Sequence, residues 1–236
     1  AAAFGIAGII APDKAFHHSA PLDFFTWACY TTNPEELAMH AQYARTYLDN
    51  AGLRKTRSII CEYNTIDRGG TPPAFREDLP SELGATLIMA QKSYADMLMY
   101  STSDIYSREN TLFSMDDHVT PHHYAAYEVM CSFARLYKLG SVIDTGDDHR
   151  KELYSLAATD GNEAALMMVT RRYEGKVEIT LVDSPFNTCV VAKTTPGGNR
   201  GKGTTYRSKE VDVTSGRLPL SVKPNEIYTI SFFNKY

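Results

Sequence analysis

Hydrophobic and polar positions follow two patterns along the chain. Up to about residue 145, short unbroken apolar runs alternate with stretches of helical period; from about residue 152 onward, strand-length runs are separated by turn signals. The sharpest helical signal begins at Asn33-Pro34-Glu35-Glu36. Asn33 suits an N-cap, proline suits the first helical position, and Glu36 stands three residues after the cap. Leu37, Ala41, Ala44 and Leu48 then share one face, and Gly52 supplies a left-handed terminator. Apolar runs of strand length, 22–27 and 58–62, flank this helix. Residues 65–80 read as a loop with Gly69-Gly70 and Pro72-Pro73. A second helix is predicted over 81–94, a strand over 97–100, and a third helix over 121–139, capped by Thr120 and ended by Gly140. Its apolar stripe is Ala126, Met130, Phe133, Ala134 and Tyr137.

Strands that do not alternate, each followed by a helix, are the grammar of a parallel sheet buried on both faces. The tail differs. Runs 153–158, 164–171, 177–182, 188–193, 210–213 and 227–233 read as short strands. Asp160-Gly161-Asn162, Glu174-Gly175, Pro196-Gly197-Gly198-Asn199, Ser215-Gly216 and Lys223-Pro224-Asn225 punctuate them. That spacing predicts an antiparallel β-sandwich. The predicted fold class is thus α/β over residues 1–145 followed by all-β over 152–236.

Composition narrows the function classes. Of 236 residues, 43% are hydrophobic and 22% charged, as in an ordinary globular protein, and the formal net charge of −4 offers no basic field for nucleic acid or an anionic membrane. No apolar run is long enough to span a bilayer. The apolar stretch 1–11 has no positive charge before it, unlike a signal peptide, and reads as a buried strand or core segment of a chain cut from something longer or processed. Cys29, Cys61, Cys131 and Cys189 show no CxxC or zinc-type spacing and read as reduced core thiols. His17-His18 and His122-His123 are adjacent pairs; neighbours on a helix point apart, so neither makes a metal-ligand set. Asp147-Asp148-His149 reads as a solvated linker, and Gly197 to Lys202 as a hairpin tip. Neither Gly-Gly pair has the strand-to-helix context that phosphate binding requires, so no cofactor is expected.

Functional residues of parallel barrels sit where strands end. Three such ends are legible: Trp27, Tyr30 and Asn33; Glu62 and Asn64; Tyr100 and Asp104. A carboxylate, aromatics that stack on a sugar ring, and amide donors compose a carbohydrate site. The plainer alternative makes Glu62 a loop or cap carboxylate and Trp27 a core residue.

The string 22–37, with Trp27, Tyr30 and Asn33-Pro34-Glu35-Glu36, followed by a helix and Ser58-Ile-Ile-Cys-Glu62-Tyr-Asn64, resembles the back half of a clan A glycoside hydrolase barrel. It is most similar to glycoside hydrolase family 39 and its β-xylosidase relatives. Residues 96–104, 110–113, 120–124 and 133–140 continue the resemblance, and 218–222 with 227–230 fit the family's C-terminal accessory domain. The resemblance implies a retaining glycosidase of plant-derived oligosaccharides, with Glu62 as nucleophile at the end of the seventh barrel strand and Tyr30 donating a hydrogen bond to it. It implies sugar contacts from Trp27, Asn64, Tyr100 and Asp104. The family's acid/base glutamate ends the fourth strand, whereas this chain begins at about the fifth; Ala28 stands where relatives usually carry histidine. Asp104, Glu109, Asp116 and Asp117 are the carboxyl groups that remain as substitutes.

Four parallel strands cannot close a barrel of eight. A half (β/α) barrel exposes strand edges and an apolar sheet face. The expectation is a complementing barrel half or a closed homo-oligomer, with an oligosaccharide or glycoside as substrate. The competing reading is a non-catalytic carbohydrate-binding or assembly module, or an inert fragment.

Overall fold

The computed structural model describes residues 22–65, 78–101, 112–114, 122–146, 152–195 and 204–235. The expected strand at 1–10, the histidines at 17–18, Gly69-Gly70, Pro72-Pro73, Asp104, Glu109, Asp116, Asp117, Thr120, residues 147–149 and the hairpin tip at 197–202 lie outside them.

The first layer is a three-stranded parallel sheet of β1 (Phe24–Tyr30), β2 (Arg57–Asn64) and β3 (Met97–Tyr100), connected through α1 (Pro34–Asn50) and α2 (Leu79–Gln91). α1 starts and stops as its sequence directs. Asn33 Oδ1 accepts from Glu35 N at 3.1 Å, and Gly52 takes φ +81° just past the end. Leu37, Ala41, Ala44 and Leu48 are buried. Thr31 Oγ1 donates to Glu36 Oε2 at 2.6 Å and accepts from Asn33 N at 3.0 Å, so a hydroxyl enters the capping arrangement. α2 begins two residues earlier and ends three residues sooner than the pattern predicts, with Pro80 in its first turn.

The third helix, α3 (Ala125–Leu139), departs more. It starts four residues late, because β4 (Phe113–Ser114) pairs with β5 (His122–His123) and holds that segment extended. Tyr124 N donates to Leu112 O, and the Tyr124 side chain is buried. His123 therefore precedes the helix, with Nε2 2.9 Å from Glu128 Oε1. The buried face is Ala125, Ala126, Val129, Leu136 and Leu139, whereas Tyr137, expected in the stripe, is 81% exposed.

The second layer is a seven-stranded sheet of order β11-β10-β14-β8-β7-β6, with β12 beside β10. Its strands are β6 (Ser141–Ile143), β7 (Leu153–Thr159), β8 (Ala164–Thr170), β10 (Thr188–Thr195), β11 (Thr204–Arg207), β12 (Val211–Asp212) and β14 (Glu226–Phe233). A hairpin-like pair of β9 (Gly175–Thr180) and β13 (Arg217–Val222) lies over one face, where Val177, Leu218 and Val222 meet Leu166, Met168, Tyr228 and Ile230. The other face packs on α2 and α3 through Leu156, Met167, Val169 and Ile227. β8, covered on both faces, is buried at every position. No helix among the described residues is long and apolar enough to cross a membrane.

α2 is the shared element. It is buried from Leu79 through Ile88 because one side meets the first layer and the other meets the seven-stranded sheet. A Cβ at Gly84 would stand 2.9 Å from Val169 Cγ2 and 3.2 Å from Met167 Cε. Gly84→Val is expected to destabilise the protein by about 1–3 kcal/mol through overpacking, seen as a lower midpoint in urea unfolding; an unchanged midpoint would refute the close approach.

Glu226 is a buried carboxylate on β14. It accepts from Tyr228 Oη at 2.5 Å, Lys193 Nζ at 2.9 Å and Lys223 N at 2.8 Å. Burial pushes its pKa up, but the three donors outweigh it and hold the carboxyl below its ordinary value. A depressed folded pKa gives stability above the unfolded value of about 4.3, lost as pH falls through the folded value. Glu226→Gln is expected to cost about 1–3 kcal/mol at neutral pH. That cost should shrink as the pH drops below about 4. Urea titrations at both pH values check the sign.

Candidate active site

β1 and β2 lie side by side and parallel, so their C-terminal ends bring Tyr30 and Glu62 to one end of the sheet. Tyr30 Oη donates a 2.6 Å hydrogen bond to Glu62 Oε2. That length is typical of a hydroxyl donating to a carboxylate. Glu62 is exposed and Tyr30 half-buried. The bond to Glu62 is the main cause that pushes the Tyr30 phenol pKa up; the Ser101 side chain opposes it and burial adds to it. The phenol thus remains a donor at neutral pH.

Regular alternation would not place Glu62 there. Trp27 pairs with Ile60, but the next residue, Ala28, pairs with Glu62, so Cys61 is an extra residue on β2. The same slip recurs against β3, where Ile60 pairs with Leu98 and Tyr63 with Tyr100. Ile60 and Tyr63 are both fully buried in the core beneath the helices. Glu62 shares the opposite face with Ala28 and Tyr30. With a strict period of two, Glu62 would follow Ile60 into that core, and an unpaired carboxylate there is very costly. The bulge re-aims the side chain.

Two of the expected sugar contacts stand on the other face. Trp27 is 7% exposed, packs in the helix-covered core, and donates from Nε1 to Ser58 Oγ at 3.0 Å. Ser58 N in turn donates to Asp96 Oδ2 at 2.7 Å. The expectation that Trp27 stacks on a sugar is corrected: its ring has no open face, and the core alternative holds. Tyr100 also packs on the core side, edge-on to Tyr63 with centroids 6.2 Å apart, and burial pushes its hydroxyl pKa up. Asn64 falls on the Glu62 side by register but is fully buried. Its Nδ2 donates to Ser101 O at 3.0 Å, and its Oδ1 accepts from Thr65 N at 2.7 Å. With Thr31 N donating to Asn64 O and Ser101 N to Tyr63 O, it ties together the ends of all three strands. Asn64 therefore builds the floor under the pair. Asn33 is spent on the cap of α1.

Sequence reasoning missed Cys61 as the bulge and Ser58 as the partner of the indole. The spacing of Ile60 and Tyr63, two large apolar residues three apart within a strand, is the signal that marks the bulge. Beyond the pair, that face exposes Phe24, Met97 and Met99 at 57%, 46% and 46%, beside the exposed Thr26 and Arg57. Among the described residues no group of three or more His, Cys, Asp or Glu side chains is placed to hold a metal ion.

No protein-family model matches the sequence, and no curated protein matches it. Solved structures do. A glucosidase from Croceicoccus marinus superposes with TM-score 0.68 and 15% identity over 92% of this chain and 55% of that one. The thermostable GH51 α-L-arabinofuranosidase from Thermotoga petrophila gives TM-score 0.68 and 12% identity over 89% and 52%. A monomeric β-xylosidase from Caulobacter crescentus gives 0.66 and 11% over 92% and 57%. The chain spans about half the length of these structures. At such identities the likeness speaks to architecture alone: the chain has the mixed α/β fold of glycoside hydrolases over roughly half of their length.

Proposed function

We propose that this chain is the second half of a retaining glycosidase barrel, about strands five to eight within residues 1–145, followed by an accessory β-sandwich over 152–236. The observation that carries the proposal is the 2.6 Å Tyr30–Glu62 pair, set at the C-terminal ends of adjacent parallel strands on the face away from the helices. Catalytic groups of such sheets gather at that end. Glu62 attacks the anomeric carbon, the bond from that carbon to the leaving oxygen breaks, and the leaving oxygen takes a proton from a second carboxyl group about 5–5.5 Å away. Water then releases the sugar from Glu62. Tyr30 holds the carboxylate aimed through its hydrogen bond.

The substrate class we favour is β-xylosidic, by resemblance to family 39 and with a β-xylosidase among the structural neighbours. The proton donor comes from a complementing barrel half, or from a second copy of the chain, which also covers Phe24, Met97 and Met99. Asp104 is retained as a substrate contact in this reading.

Dinitrophenyl xyloside tests the nucleophile apart from the acid, because its leaving group departs unprotonated. The purified chain is expected to release dinitrophenol, and a 2-fluoro analogue to add one 2-deoxy-2-fluoroxylosyl mass at Glu62, with the solution mass recorded on the same sample. A folded protein that binds xylosides without release or labelling would be a carbohydrate-binding module instead.

A further inference from the structure

We propose that Cys61 is a positioning residue for Glu62: its backbone supplies the extra residue that turns the carboxylate toward Tyr30, and its thiol pins that turn to β1. The functional consequence rests on reading Glu62 as the nucleophile; the geometry does not.

Three observations converge. The register slips by one at Cys61 against β1 and between Ile60 and Tyr63 against β3, so the bulge belongs to β2 itself and is not a distortion of one edge. Cys61 Sγ donates to Trp27 O at 3.4 Å, and Trp27 is the residue immediately before the slip in β1. Cys61 is half-buried, and the same stretch of β2 commits Ile60 and Tyr63 to the core on either side of the turn. Those two buried side chains fix the strand on both sides of Cys61, while the thiol fixes the residue between them. A sulfhydryl is a weak donor, so its contribution to global stability is small. Its contribution to aim is larger, because a displacement of about 1 Å at a reacting group can cost two orders of magnitude in rate.

The chemistry distinguishes replacements. Serine keeps a donor to Trp27 O; valine and alanine keep the backbone residue but remove the donor. The readout is the Tyr30 Cζ chemical shift at neutral pH, by NMR on protein labelled with carbon-13 tyrosine and assigned through Tyr30→Phe. It reports the Tyr30–Glu62 contact without any need for turnover. Wild type and Cys61→Ser are expected to share one shift. Cys61→Val is expected to move toward Glu62→Gln, with labelling by the 2-fluoro xyloside slowed about tenfold. Cys61→Ala serves the same comparison where valine does not fit. Circular dichroism establishes that each variant is folded. A folded valine or alanine variant with the wild-type Tyr30 shift overturns the proposal. A shift that responds to Cys61, in a protein that no xyloside labels, upholds the positioning role and removes the nucleophile assignment alone.

Discussion

Glu62→Gln is expected to lower the rate of dinitrophenyl xyloside cleavage by about three orders of magnitude or more, with the melting temperature unchanged. The amide has the shape of the carboxylate and still offers Tyr30 Oη an oxygen to donate to, so the geometry seen at 2.6 Å survives. What it lacks is the negative charge and the lone pair able to form the glycosyl ester. Glu62 is exposed, so no buried partner is stranded by the change. The leaving group needs no proton, so the loss reports on the nucleophile whichever chain supplies the acid. The Tyr30 midpoint should also fall toward its ordinary value, because the bond to Glu62 is the main cause of its rise and is weaker to a neutral amide than to a carboxylate. Equal rates in the two proteins would remove Glu62 from the chemistry.

The second large effect concerns stability. Arg171→Met is expected to destabilise the fold by about 3–5 kcal/mol. Arg171, just past β8, is 7% exposed; its guanidinium stands 3.4 Å from Glu82 Oε1 on α2 and 3.6 Å from Glu152 Oε2. Glu82 is 2% exposed. Removing the cation leaves the Glu82 carboxylate without it in a place water scarcely reaches, while Glu152, with its side chain 28% exposed, keeps some contact with water. Replacing the buried pair, Arg171→Met with Glu82→Leu, is expected to recover part of the loss, because apolar groups of similar volume need no compensation there. Urea unfolding of the single and double variants measures both. A single variant within about 0.5 kcal/mol of wild type would refute a buried pair.

Much of this architecture is written in local signals. The cap at Asn33, the proline after it and the glycine at 52 delimit α1, and the run Met97–Tyr100 is observed as β3 with its predicted bounds, though Met97 and Met99 are exposed where a strand buried on both faces is expected. The turn at Asp160 is equally local: its Oδ1 accepts from Asn162 N and Glu163 N, which also holds its carboxyl below the ordinary range. What escaped the sequence depends on which strands pair. α3 begins late because the short strand just upstream, Phe113–Ser114, pairs with His122–His123. β11 and β13 were missed because Thr204–Arg207 is polar and Pro219 interrupts Arg217–Val222; each is held by its neighbours. Trp27 looked like a site residue because it stands next to a strand end, but the one-residue slip between Trp27 and Ala28 decides which face each residue meets. Periodicity cannot place such a slip unless large apolar residues bracket it, as Ile60 and Tyr63 do.

The burial of α2 on two sides bears on how the chain folds. A helix solvated along one face can form with its own sheet and wait for a partner. α2 has no such face: Leu83 and Leu87 sit within one core with Trp27 and Ile60 at one extreme and Met167 and Ile227 at the other. Neither layer can reach its final density until the helix and the opposite layer are both in place. Ser81 Oγ to Asn225 Oδ1 at 2.8 Å and Tyr154 Oη to Glu35 Oε1 at 2.5 Å then lock contacts separated by more than a hundred residues. Such long-range closure slows folding. It also makes the two layers open together, so the architecture has two sheets but a single cooperative unit, and slow amide exchange should reach its maximum along α2 and β8 alike.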